Sequence, residues 1–204
     1  RARGKESQLN LEVTEVAMVQ FRQKPEDIVE LSLILSKIES MKVEANIQGI
    51  EVLRSLRVLN LQSNHIAAIR GLEAMTELKK IDLSGNQLQS IDGLASLGKL
   101  EELLLAHNKI SSLKGPEMTA LAIQLPSTDS LRVLDVRDNL LSDLTELHVL
   151  GRYPHSQHRF AKLEELTLDS EECKHHNPIC IDKRAYYTEL RRLPQFSKLK
   201  VTRV

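Results

Sequence analysis

Leu56-Arg-Val-Leu59-Asn-Leu61-Gln-Ser-Asn64-His-Ile66 recurs as Leu78-Lys-Lys-Ile81-Asp-Leu83-Ser-Gly-Asn86-Gln-Leu88. It recurs again as Leu100-Glu-Glu-Leu103-Leu-Leu105-Ala-His-Asn108-Lys-Ile110, at an offset of 22 residues each time. A fourth copy (Leu131, Leu134, Val136, Asn139, Leu141) follows after 31 residues, and a fifth (Leu163, Leu166, Leu168) after 32. A degenerate copy precedes them at Ile28, Leu31, Leu33, Ile38 and Met41. Three copies in register make coincidence negligible, and a fixed period of this length marks stacked coils.

The spacing has a direct physical reading. In L-x-x-L-x-L, alternate side chains of a short strand point inward. The asparagine three residues later closes the turn, and its amide can bond the backbone of the neighbouring coil. Asn64, Asn86, Asn108 and Asn139 are therefore expected to form a structural ladder. Gly71-Leu72 and Gly93-Leu94 then turn the chain back on the far side through a short helix or 3₁₀ segment. One coil cannot bury its own apolar face, so neighbours must share a continuous core. The expected fold is an α/β, curved leucine-rich repeat solenoid with a concave parallel sheet and convex short helices or 3₁₀ turns.

A solenoid also needs closed ends. Residues 1–27 read as an N-terminal cap, with Leu9, Val13, Val16, Ala17 and Phe21 on one helical face before Pro25. Residues 28–176 hold about six repeats, with insertions near 115–130, 151–160 and 170–176. In the last of these, Glu171 occupies the place of a ladder asparagine and Asn177 comes six residues late. Residues 177–204 read as a C-terminal cap: a turn, a helix of about ten residues, and a short closing strand.

Composition agrees. The chain has 204 residues, with 28 basic and 28 acidic side chains, which argues against a broadly basic nucleic-acid or membrane binder. Hydrophobic content of 41% beside 27% charged fits a folded chain. Two cysteines cannot make a disulfide framework, so a reducing compartment is the default. No run of apolar residues is long enough for a membrane helix. No aromatic residue stands between Phe21 and Tyr153, so the repeat core must be aliphatic.

These residues resemble the 22-residue leucine-rich repeat subfamily. That group includes the leucine-rich regulatory subunit of protein phosphatase 1, the A-prime protein of the spliceosome and the leucine-rich light chain of outer-arm dynein. The resemblance is carried by Asn-x-Ile/Leu-x-x-Ile-x-Gly-Leu at Asn64 to Leu72 and Asn86 to Leu94, and by the cap at Asn177 to Leu199. Leu31 followed by Ile38-Glu39-Ser40-Met41 is similar to the first coil of the ciliary members. The ending Leu199-Lys200-Val201 differs from the Leu-Asp usual in the family. The resemblance implies a non-enzymatic protein-interaction scaffold in a cytoskeletal or ciliary assembly, cytoplasmic in location. A phosphatase regulator and a protein-binding, nuclear component of a ribonucleoprotein are the alternatives.

Between the buried leucines, strand residues should face the concave side. The expected partner-binding group is Lys80, Asp82, Glu102, Leu104, Asp135, Arg137, Glu165 and Asp169. Its C-terminal half reads as acidic, which suits a basic helix or tail of another protein. Self-association is a further use of such a face; direct nucleic-acid contact and membrane binding are not expected. Cys173-Lys-His175-His176-Asn-Pro-Ile-Cys180 contains four zinc-capable side chains, but the spacing matches no standard module, and Cys180 sits where the cap is usually buried. No metal, cofactor or catalytic residue is expected: phosphate-cradle and nucleophile-elbow motifs are absent.

Overall fold

The structure is a computed structural model that describes residues 27–34, 53–94, 96–114, 130–150, 160, 162–171, 175–193 and 196–201. The residues read as an N-terminal helical cap, and most of the insertions near 115–130 and 151–160, lie outside them.

Each L-x-x-L-x-L segment contributes one very short strand, and the C-terminal cap adds a last one. These are β1 (Glu30–Ser32), β2 (Val58–Asn60), β3 (Lys80–Asp82), β4 (Glu102–Leu104), β5 (Val133–Asp135), β6 (Glu165–Thr167) and β7 (Lys200–Val201). All neighbours pair in parallel, in the order β1-β2-β3-β4-β5-β6-β7. Sequential order with one strand per coil is the signature of a solenoid. The middle residues Leu31, Leu59, Ile81, Leu103, Leu134 and Leu166 stack in one buried row. Even the degenerate first copy joins, with Leu31 opposite Leu59. The chain is thus a curved leucine-rich repeat solenoid with an open parallel sheet.

The convex half is built from turns. Met75 N–H donates to the Leu72 carbonyl and Leu78 N–H to that of Met75 (2.9 and 3.1 Å). Leu97 and Leu100 repeat this on Leu94 and Leu97 (3.0 and 3.2 Å). Such bonds bring every third side chain to one side, which buries Leu72, Met75, Leu78, Leu94, Leu97 and Leu100 completely. In the fifth coil the turns lengthen into a 3₁₀ segment, Leu144–Leu150. Its Glu146 is buried and accepts from Leu113 N–H at 2.8 Å and from Ser112 Oγ at 3.1 Å.

The asparagine ladder is complete. Asn108 Nδ2 donates to the carbonyls of Leu83 and Leu105 (both 3.0 Å), while its Oδ1 accepts from Leu88 N–H (3.0 Å). Asn86 and Asn139 do the same one coil either side. Neither Glu171 nor a gap fills the next place. Asn177, fully buried, donates to Val136 and Leu168 oxygens (both 2.8 Å) and accepts from Leu141 N–H (3.0 Å). Asn177 therefore takes the rung although it comes six residues late in the sequence. The residue before each of the first four rungs is left-handed: Ser63, Gly85, His107 and Asp138 have φ of 58, 68, 56 and 50°.

After Asn177, a 3₁₀ turn (Pro178–Cys180) leads into the helix α1 (Lys183–Leu190). Asp182 caps α1 by accepting from Ala185 N–H at 3.0 Å. Tyr186, Leu190, Leu193 and Leu199 close the end of the core, and β7 pairs with β6.

Candidate interaction surface

The two residues flanking each buried strand centre face the concave side, because side chains alternate along a strand. Parallel register arranges them in two columns. One runs Glu30, Val58, Lys80, Glu102, Val133, Glu165, Lys200. The other runs Ser32, Asn60, Asp82, Leu104, Asp135, Thr167.

The first column is largely self-neutralised. Lys80 Nζ lies 2.6 Å from Glu102 Oε2, and Lys200 Nζ contacts Glu165 Oε1. Lys200 was not among the expected site residues, because the sequence reading ended the concave face at the fifth full repeat. Its place there follows from β7 pairing onto β6. The C-terminal half of the face is consequently less acidic than expected.

The second column carries further charge. Asp82 accepts from Ser84 N–H (2.9 Å) and has no ion pair among the described residues. Leu104, half-buried, stands beside it in the register, with Asp135 on the other side. Asp135 accepts from Arg137 N–H at 3.1 Å, and its second oxygen lies 3.2 Å from Arg137 Nε. That Nε is buried and makes no hydrogen bond. Burial pushes the Asp135 carboxyl up, while the Arg137 N–H, the Arg137 charge and His107 pull it down and Asp82 adds to the rise. Beside this group His107 Nδ1 lies 2.7 Å from Asp138 Oδ2. Asp138 is not among the expected site residues, and neither is His107. The only signal is its place before the ladder asparagine, shared with Ser63 and Gly85.

Two expected residues do not lie open. Asp169 is only 2% exposed; it accepts from Ser170 N–H (2.8 Å), and His176 Nδ1 lies 2.5 Å away. The same place is buried in two regular coils, at Ser84 and Ala106, so strand alternation does not carry past the end of the strand. Asp135 is 9% exposed and lies beneath Arg137 rather than at the surface. Lys80, Asp82, Glu102, Leu104, Arg137 and Glu165 are brought together on the partly exposed face.

Among the described residues, no three His, Cys, Asp or Glu side chains converge as a metal set. Cys173 lies outside them. Cys180 is buried, with Sγ 3.8 Å from the Leu168 oxygen, and burial pushes its thiol up to about 12. No helix among the described residues is long and apolar enough to cross a membrane.

A family model described as leucine-rich repeats in two copies matches residues 54–96. Among solved structures, internalin C2 of Listeria monocytogenes is 18% identical with a TM-score of 0.46, covering 78% of this chain and 74% of its own. An internalin InlF of the same organism is 22% identical with a TM-score of 0.45, covering 79% of this chain and 50% of its own. No curated protein matches the sequence.

Proposed function

We propose that this leucine-rich repeat protein is a non-enzymatic scaffold that holds a segment of another protein on its concave face. Leucine-rich repeat proteins generally act as protein-interaction scaffolds, and the matched repeats at 54–96 bring that role to this chain. One observation carries the choice of face. Asp82, a carboxylate without an ion pair among the described residues, stands beside the half-buried Leu104 at the centre of a sheet whose other strand charges, Glu30 apart, are paired. An apolar contact next to a lone carboxylate suits a lysine or arginine side chain, whose alkyl stem packs while its head pairs. A basic helix or tail is the occupant of matching chemistry.

The regular 22-residue offsets support placement in the 22-residue subfamily. Within it, the similarity of Leu31 and Ile38 to Met41 to the ciliary members supports a cytoplasmic role in a cytoskeletal or ciliary assembly.

The test is a paired pull-down with mass spectrometry, using the wild type and a D82K/E102K variant. Both positions are part-exposed, so the variant should keep the wild-type circular dichroism and melting curve. A partner lost only by the variant supports the concave reading, and tubulin or motor subunits among the losses support the assembly. Equal recovery by both baits would sink the concave reading.

A further inference from the structure

A second surface, on the flank of the solenoid, has the opposite chemistry. Four large apolar side chains stand well exposed among the described residues: Val29, Ile34, Leu140 and Ile181. Two of them fall together. Pro178 follows the rung Asn177 as Leu140 follows the rung Asn139, and Ile179 N–H donates to the Leu141 oxygen at 3.0 Å. The two coils therefore run side by side at this point. Ile181 N–H then donates to the Pro178 oxygen at 3.2 Å, and residues three apart in such a turn eclipse. Ile179 and Cys180 go inward, while Pro178 and Ile181 stay outside. The result is an exposed strip Leu140–Pro178–Ile181, with Leu140 51% and Ile181 76% exposed.

Ile181 has no internal task. It directly precedes the cap residue Asp182, a position from which an apolar side chain usually packs onto the first turns of its helix. Tyr186 in that helix is buried, yet Ile181 is the most exposed large apolar residue described. The strip is bounded by cations. Lys109 precedes it on the neighbouring coil, and Lys183 and Arg184 follow it; all three are exposed without an ion pair among the described residues.

We propose that this strip docks an acidic segment of a partner protein, with leucine-type side chains on Leu140, Pro178 and Ile181 and carboxylates on Lys109, Lys183 and Arg184. The occupant is fixed by complementarity: apolar side chains need an apolar cover, and unpaired cations around it attract and orient carboxylates. It differs in sign from the segment suited to Asp82, so the protein joins two partners of opposite charge on two faces.

The probe is a fluorescein-labelled peptide of aspartate and leucine, titrated by anisotropy against the whole chain at moderate salt. Saturable binding is expected, weakened about tenfold by L140S/I181S and about tenfold by K183E/R184E, on the scale of truncating central anchors. D82K/E102K should bind the peptide unchanged, which separates this surface from the concave one. All four residues changed are exposed, and a melting curve for each variant confirms the fold. Absence of saturable binding would overturn the proposal. So would equal binding by the L140S/I181S variant, or an all-aspartate peptide that binds as well. Sedimentation with anionic vesicles in place of peptide binding, or concentration-dependent dimerisation abolished by L140S/I181S, would also overturn it, in favour of a lipid surface or a second copy.

Discussion

Asn108 shows how one side chain can serve three backbone groups that the solenoid buries. Asn108→Ala leaves the Leu88 N–H without a partner and takes one of two amide donors from each of the Leu83 and Leu105 oxygens, which Asn86 and Asn139 still serve. One unsatisfied buried donor costs about 1–3 kcal/mol, so a loss of about 2 kcal/mol is expected in urea unfolding. Glycine matters at one place for a different reason. Gly93 has φ of 93°, and an added Cβ would stand 2.5 Å from the Ile69 oxygen. Gly93→Ala should cost about 2 kcal/mol or more, whereas at Gly98 a Cβ meets nothing within 4 Å and Gly98→Ala should change little. Equal effects at the two glycines would contradict this account. Both structural roles were legible beforehand: the ladder from the spacing of the asparagines, and the turn from the repeated Gly-Leu. The burial of Asp169 was not, because alternation along a strand says nothing about residues past its end, where Ser84 and Ala106 are buried too.

At the scale of elements, the strands are two or three residues long and cannot stand alone. Their order comes from the rows they bury. Leu103→Ala, in the central strand, removes a fully buried side chain and should cost about 3 kcal/mol. The closing elements are held differently. Asp182→Ala removes the cap of α1 and should cost about 1 kcal/mol. Cys180, in the turn before it, is inert as long as the cap stays docked. Burial holds its thiol far above neutrality, so a thiol reagent at pH near 8, below the ordinary thiol value of about 8.5, should label it only on unfolding. Labelling of the Cys180 peptide, followed by mass spectrometry against urea concentration, should track global unfolding. Reaction in the native state would show the cap opening by itself.

For the whole molecule, charge is arranged in exposed pairs across neighbouring coils. Lys99 beside Glu77, Lys79 beside Glu101, Arg132 beside Glu164, and His148 with Arg192 beside Glu189 each hold a carboxyl below its ordinary value. A lowered folded value gives stability that is present above the unfolded value and lost as the pH falls through the folded one. Asp135 works the other way: burial raises its carboxyl, so its ionised form costs stability near neutrality and protonation relieves that cost. Urea midpoints should therefore hold steady from neutral pH to about 5 and fall only below about 4, the carboxylate range. A steep loss above pH 5 would count against this assignment of charges. By itself the sequence determined the repeat, the stacked aliphatic core, the asparagine ladder and the columns of the concave face, because periodicity dictates which side chains a coil must bury. Only the tertiary structure decided the rest. Pairing of β7 onto β6 brings Lys200 against Glu165, and the turn after β6 buries Asp169. The side-by-side course of two coils gathers Leu140, Pro178 and Ile181 into one strip. Those neighbours come from different coils, and contacts between coils whose spacing departs from the period are set by packing, not by local pattern.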